Sequence, residues 1–209
     1  MPYTGGLLNE LNGKMGISAP HRSVPVMKLI KYHKPKSKSE LEHLIKWHSK
    51  HDCHCKVSSK GSIVDFGLNL YHSQLPYWGE IKFSITECIQ WEYDLFVTQS
   101  LKGGILERQA IENLSHLLPH YKFSEAIGYL DEDLRVDLLV SKPNNPDETV
   151  IAGIQVKPQS YNFMRPEVKS FNKTAHKKWN KPVFFLFYND KQQWVNLDST
   201  CNSILQIPL

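Results

Sequence analysis

Apolar positions change rhythm along this chain, from intervals of three and four before about residue 118 to alternation beyond it. In "SKSELEHLIKWHSK", residues 37–50, Leu41, Leu44 and Ile45 recur at helical spacing. Ser39 and Glu42 have capping-box spacing, so a helix of about three turns is expected. Residues 84–101, "SITECIQWEYDLFVTQSL", are apolar enough for a buried helix that ends at Gly103 and Gly104. A second helix, "ILERQAIENLSHLL", is closed by Pro119. Between these, residues 61–80 read as strand and turn. Residues 1–36 contain Gly5, Gly6, Gly13 and Gly16 together with several Pro, Lys and His, which suggests a partly ordered arm or loop layer.

Strand-like runs then dominate: "YKFSEAIGYL", "LRVDLLV", "TVIAGIQV" and "VFFLFYN", with a basic helical segment, "EVKSFNKTAHKKWNK", before the last and a short tail strand near "QQWVNL". The order predicts an α/β or α+β protein, with a central mixed sheet flanked by helices. At 209 residues one domain is expected, residues 1–60 forming a basic arm and helix for DNA binding or dimerisation.

Composition narrows the class. No apolar run approaches the roughly 20 residues of a membrane span, and the N-terminus lacks the apolar centre and cleavage pattern of a signal peptide. Four cysteines make no disulfide framework. A soluble intracellular protein is expected. Its formal charge of +4 fits an anionic partner such as nucleic acid.

One strand has an unusual end. Period two places Gly153, Gln155 and Lys157 on one face of "TVIAGIQV" and its continuation, with Ala152, Ile154 and Val156 on the other; Pro158 then stops it. In "LRVDLLV", Asp137 stands among apolar residues, where a bare carboxylate costs several kcal/mol unless it is paired, hydrogen-bonded or bound to a cation. If the two runs pair as a hairpin across "SKPNNPDE", Asp137 approaches Gln155 and Lys157. A third acid, Glu107, shares a helical stripe with Ile111, Leu114 and Leu118, whereas Glu112 falls on the side of Arg108, Ser115 and His116. Glu107 should therefore face the sheet and Glu112 the solvent. Carboxylates, an amide oxygen and an ammonium group suit phosphodiester hydrolysis with Mg²⁺, which prefers hard oxygen ligands.

Asp137, a spacer and then Gln155-Val156-Lys157 resemble the D…(D/E)xK signature of the PD-(D/E)XK nuclease fold, in a variant with Gln at the first place of the last triad. "IQVKPQSY" followed by "NKTAHKKW" and "VFFLFY" resembles the type II restriction endonucleases of the MjaI type over about residues 104–190. The resemblance implies Asp137, Gln155 and Glu107 as Mg²⁺ ligands and Lys157 as the catalytic lysine. It also implies cleavage of double-stranded DNA to leave a 5′-phosphate, a short palindrome related to CTAG, a homodimer and the cytoplasm of a prokaryote. Gln contributes an oxygen without charge, so weak, millimolar metal binding is expected.

Phosphate contacts are expected from Asn172, Lys173, His176 and Lys177 in the basic segment, with Asn172 and Lys173 pointing inward. Gln159, Ser160 and Tyr161 directly follow the strand, and Lys14 and Arg22 lie in the N-terminal arm. Two other readings compete. One is a repair, resolvase or structure-selective nuclease of the same fold. The other is a non-catalytic DNA-binding or zinc-stabilised module using "HSKHDCHC", where His48, His51, Cys53, His54 and Cys55 are zinc-type ligands. A tetrahedral site usually draws on two separated pairs, and Cys88 and Cys201 have no matching spacing, so a solvated helix end is favoured there.

Overall fold

A computed structural model describes residues 6–18, 23–51, 61–142, 149–164 and 166–207, excepting the side chain of residue 168. The chain divides into two compact units, Met1–Ile105 and Leu106–Leu209.

In the first unit the described residues are helical. Helices α1 (Gly6–Met15) and α2 (Val26–His33) occupy the stretch expected to be an arm. Leu8 and Leu11 from α1, with Val26, Leu29 and Ile30 from α2, are buried in one apolar cluster. Burial outweighs the weak propensity of this stretch: Gly13 lies on an open side of α1, where it costs about 1 kcal/mol relative to Ala.

Helix α3 (Lys38–His48) is capped two residues before the expected position. Ser37, not Ser39, accepts the Glu40 N–H at 3.2 Å, while Glu40 accepts the Lys36 N–H at 2.7 Å. Helix α4 (Ile63–Trp78) replaces the expected strand and turn of 61–80. Its signal is a capping box: Ser62 Oγ accepts the Asp65 N–H at 3.4 Å, and Asp65 accepts the Ser62 N–H at 2.7 Å. Ile63, Phe66 and Leu70 then carry its apolar stripe, and Gly79, at φ +76°, ends it.

Helix α5 (Ile85–Tyr93) has its own box at Ser84 and Glu87, and runs through a π-helical stretch, Asp94–Gln99, into α6 (Ser100–Leu117). Helix α6 thus continues through Gly103 and Gly104, where a stop was expected; at Gly103 there is open space where a side chain would lie. Gly67 has a stricter reason: a Cβ there would sit 2.6 Å from the Ile89 Cα, so α4 and α5 cross too closely for a side chain.

The second unit is built on a mixed sheet, as expected. Strands β1 (Lys122–Glu125), β2 (Leu138–Ser141), β3 (Val150–Pro158) and β4 (Val183–Tyr188) lie in the order β1-β2-β3-β4. The first two pairings are antiparallel and β3 pairs with β4 in parallel. One face, with Leu138, Val140, Ile154, Val156 and Leu186, packs with Leu106, Ala110 and Leu114 of α6 and with Ile204 of α9 (Leu197–Leu205). A short helix, α7 (Tyr129–Glu132), lies between β1 and β2; a 3₁₀ turn, Gln159–Phe163, and α8 (Pro166–Lys177) follow β3.

The tail near "QQWVNL" makes only a bridge, Tyr188 to Trp194, before α9. Instead of a strand, the Asn196 amide takes over: Phe187 N–H donates to its oxygen at 2.7 Å, and its nitrogen donates to the Phe185 carbonyl at 2.8 Å. Two side-chain hydrogen bonds thus satisfy backbone groups at that edge.

Glu92 is the costly residue of the first unit. It is fully buried, Ser18 Oγ donates to its Oε2 at 3.2 Å, and its Oε1 has no hydrogen-bond partner among the described residues. Burial pushes its carboxyl up to about 7 against the Ser18 hydrogen bond. A raised acid binds its proton more tightly folded than unfolded, so stability falls as pH rises from the ordinary 4.5 toward 7. The loss is about 3 kcal/mol by linkage. Glu92→Gln should therefore remove most of this pH dependence and raise the urea midpoint at pH 8, while changing it little near pH 4.5. Parallel pH profiles for the two proteins would show that Glu92 does not carry the effect.

Candidate active site

Asp137 stands at the entry to β2 and is held there by backbone bonds on both sides. Its N–H donates to Ile154 O at 2.9 Å and its carbonyl accepts the Ala126 N–H at 2.9 Å. Just before it, Arg135 adopts φ +60°, a left-handed conformation that costs a non-glycine residue about 1–3 kcal/mol. That turn redirects the chain from α7 into the sheet. The hairpin expected between "LRVDLLV" and "TVIAGIQV" forms, with Leu138 opposite Ile154 and Leu139 opposite Gly153.

The carboxylate then reaches across to β3. Val156 N–H donates to Asp137 Oδ2 at 2.7 Å, and Lys157 Nζ lies 3.7 Å from the same oxygen. Both side chains keep some access to solvent, 13% exposed for Asp137 and 27% for Lys157, so the pair is partly screened. The backbone bond fixes the direction of the carboxylate, and the ammonium group is brought to it by the strand register.

Gln155, between these contacts, is 1% exposed, and its Oε1 has no hydrogen-bond partner among the described residues. A buried amide oxygen left so costs about 1–3 kcal/mol, which makes it a natural acceptor for a cation or a donor. Gln155 and Lys157 lie in register with Phe185 and Phe187 of β4. This side of the sheet is covered from the far end of β3. The Tyr161 ring stacks on Phe185 and Phe187 at 5.4 and 6.5 Å, and Asn172 Nδ2 donates to its hydroxyl at 2.9 Å. Gly153 completes that side: a Cβ would lie 2.6 Å from the Trp179 ring and 2.7 Å from Val136.

Glu107 is buried at 8% exposure, and Glu112 is exposed, as the helical stripe predicts. Leu114 of the expected stripe is innermost, together with Leu106 and Ala110 in place of Glu107 and Ile111. They pack on the face of Ile154 and Val156, opposite by alternation to Gln155 and Lys157. Within the expected quartet, Asp137 and Lys157 meet directly. Asp137 is nevertheless felt on the α6 side: burial first, and then the Asp137 charge, push the Tyr188 hydroxyl upward, and Tyr188 packs with the cluster beneath α6.

The expected DNA contacts divide. Gln159, Ser160, Lys173, Lys177 and Lys14 are exposed, so Lys173 points outward rather than inward. Tyr161 and Asn172 are buried against each other, because the Phe185–Phe187 pair offers an aromatic surface that Tyr161 covers. His176 lies between: its ring packs on Phe185 at 5.5 Å and its Nε2 is 3.4 Å from Arg135 O. Burial lowers its pKa most; the Arg135 carbonyl opposes this and the nearby Lys157 charge adds to it. Arg22, Cys53, His54 and Cys55 lie outside the described residues.

His48 is buried at the end of α3, its pKa lowered by burial and then by His33, while His51 stacks on Trp47 at 5.4 Å. Among the described residues no group of three His, Cys, Asp or Glu side chains is placed to hold a metal ion. Any cation at Asp137 would thus need an oxygen outside that set, and Gln155 has one.

Two exposed aromatic residues, Phe163 and Phe171, and the left-handed Arg135 escaped the sequence reading although they border this site. Their only signal was three large side chains in polar surroundings. No curated protein and no solved structure matches the chain significantly. The family model of the MjaI restriction endonuclease matches residues 5–199, nearly the whole chain and well beyond the 104–190 of the motif resemblance. The chain belongs to the MjaI restriction endonuclease family, a family of nucleases that act on DNA.

Proposed function

We propose that this protein is a Mg²⁺-dependent type II restriction endonuclease, cutting both strands of DNA at a short CTAG-like palindrome to leave 5′-phosphates. The observation that carries the reading is the contact of Lys157 with an Asp137 carboxylate anchored on the neighbouring backbone. The PD-(D/E)XK motif supports it in its QxK form. The buried Gln155 oxygen, which has no hydrogen-bond partner among the described residues, also suits a cation.

Asp137, Gln155 and Glu107 would hold Mg²⁺, which supplies polarisation of the scissile phosphate. Asp137 keeps one carboxylate oxygen turned toward Val156 N–H and Lys157, so its orientation does not depend on substrate. Lys157 positions the attacking water and stabilises negative charge developing on the phosphate. Gln159, Ser160, Lys173 and Lys177 surround the end of β3 and contact phosphates.

The family match crosses both compact units, which supports reading residues 1–209 as one nuclease. In it residues 1–60, Lys14 and Arg22 included, contribute to DNA binding or dimerisation. A two-fold dimer presents two active sites to the two strands of a palindrome. We place it in the cytoplasm of a prokaryote; no helix among the described residues is long and apolar enough to cross a membrane.

The test is a digest of unmethylated phage DNA at about 10 mM Mg²⁺, chosen for weak ligation by an uncharged amide. Discrete bands should appear with the intact protein and be absent with Asp137→Asn; a smear would point to a structure-selective or repair nuclease. Lys157→Ala should slow cleavage by about 10²–10⁴ with DNA affinity within a few-fold, as for a positioned proton-transfer group. Cleavage at the intact rate would remove Lys157 from the mechanism. Gln155→Glu, which adds a ligand charge, should lower the half-saturating Mg²⁺ concentration by about tenfold. An unchanged metal titration would place Gln155 outside the ligand set.

A further inference from the structure

Phe163 is 88% exposed, more than any other large apolar residue described. Leaving such a ring in water forgoes the burial of a large apolar surface. Its position is firm, for Phe163 ends the Gln159–Phe163 turn and the rest of that turn is anchored. Tyr161 is buried on Phe185 and Phe187, Lys169 Nζ donates to the Asn162 carbonyl at 3.0 Å, and Met164 N–H donates to Tyr161 O at 3.1 Å. A five-residue 3₁₀ turn advances about 10 Å, so Phe163 stands about that far from the strand end that carries Lys157.

Helix α8, which follows the turn and is tied to it through Lys169, is cationic and aromatic. Phe171 of α8 is 61% exposed, with the Arg135 guanidinium 5.3 Å from its ring centroid. Arg135 lies two residues before Asp137. Lys173 and Lys177 are exposed on α8, where Glu167 is the one acid. Cations interleaved with exposed rings match a polyanion with stackable faces better than an apolar protein surface.

We propose that Phe163 is a wedge that enters the duplex beside the scissile phosphate and unstacks one base step. The proposal rests on the reading of Asp137 and Lys157 as the cleavage centre. A side chain inserted from a rigid turn kinks the duplex, and the cost depends on the step being opened. Phe163 is thereby a specificity-determining residue, selecting steps that open easily at a fixed distance from the cut. The Arg135–Phe171 pair flanks it as a phosphate contact.

Duplexes carrying 2-aminopurine at successive positions across the junction mapped in the digest test this, with every protein in the Asp137→Asn background so that nothing is cut. Fluorescence should rise several-fold at one step. Phe163→Ala should abolish the rise and weaken binding by about 10–100-fold, with the salt dependence unchanged because no phosphate contact is lost. Phe163→Trp should keep both. If Phe163→Ala retains the signal and affinity, or changes only the sedimentation of the DNA-free protein, the wedge is wrong; in the second case the ring joins two copies of the chain. Should the intact protein cut nothing, the nuclease reading fails by itself. The wedge is then judged by the same fluorescence on a mixed-sequence duplex, where no step-specific rise would overturn it.

Discussion

The hydrogen bond from Val156 N–H to Asp137 Oδ2 organises the candidate site of the second unit. A side-chain carboxylate there takes an N–H of the central strand, and it does so where β2 begins, next to a left-handed residue. Three consequences follow from one bond. The carboxylate is aimed before any ligand arrives. The ammonium group of the next residue is drawn to the same oxygen. The two strands are also tied together at the end that carries the candidate site, which is where an open sheet is otherwise least constrained.

The sheet explains why this part was legible. Period two is a rigid rule once the core face is known, and Ile154 and Val156 declare that face, so Gln155 and Lys157 had to share the other. The hairpin pairing then followed from the polar loop between the runs, whereas its register, which shifts between Val140 and Ser141, did not. Helix α6 was less legible, because a period of 3.6 leaves neighbours such as Leu106 and Glu107 competing for the inward position. Leu106 is the innermost, yet Glu107 is still buried. Helix α4 was misjudged for another reason. Residues 61–80 read as strand and turn, whereas the Ser62–Asp65 box and the stripe of Ile63, Phe66 and Leu70 specified a helix, and Gly67 proved to be a packing requirement against α5. Exposure of Phe163 and the φ of Arg135 leave no periodic trace at all.

The two units handle buried polarity in contrasting ways. In the first, Gln74 is fully buried and fully engaged. Its oxygen accepts from Lys82 and Phe83 N–H groups at 3.0 and 2.8 Å, and its nitrogen donates to Phe83 O at 2.9 Å. That amide is structural, locking the end of α4 to the start of α5. Glu92 in the same unit is raised by burial with only the Ser18 hydroxyl on one oxygen, a cost carried by the fold.

Gln155 differs from Gln74 although residue type and burial are the same. An amide oxygen without a donor among the described residues, on the central strand and between two residues that contact Asp137, is a cost that a purely structural role leaves unexplained. The proposed metal role explains it and sets a condition. With Lys157 close to Asp137 and an uncharged Gln155, the centre carries little net negative charge of its own, so a divalent cation is weakly attracted until a phosphate arrives. DNA binding and metal loading would then reinforce each other through one shared set of oxygens, because each ligand brings the charge that the other needs. On the proposed reading such a centre would stay poorly charged with metal away from DNA, a useful property for an enzyme whose chemistry is destructive at the wrong place.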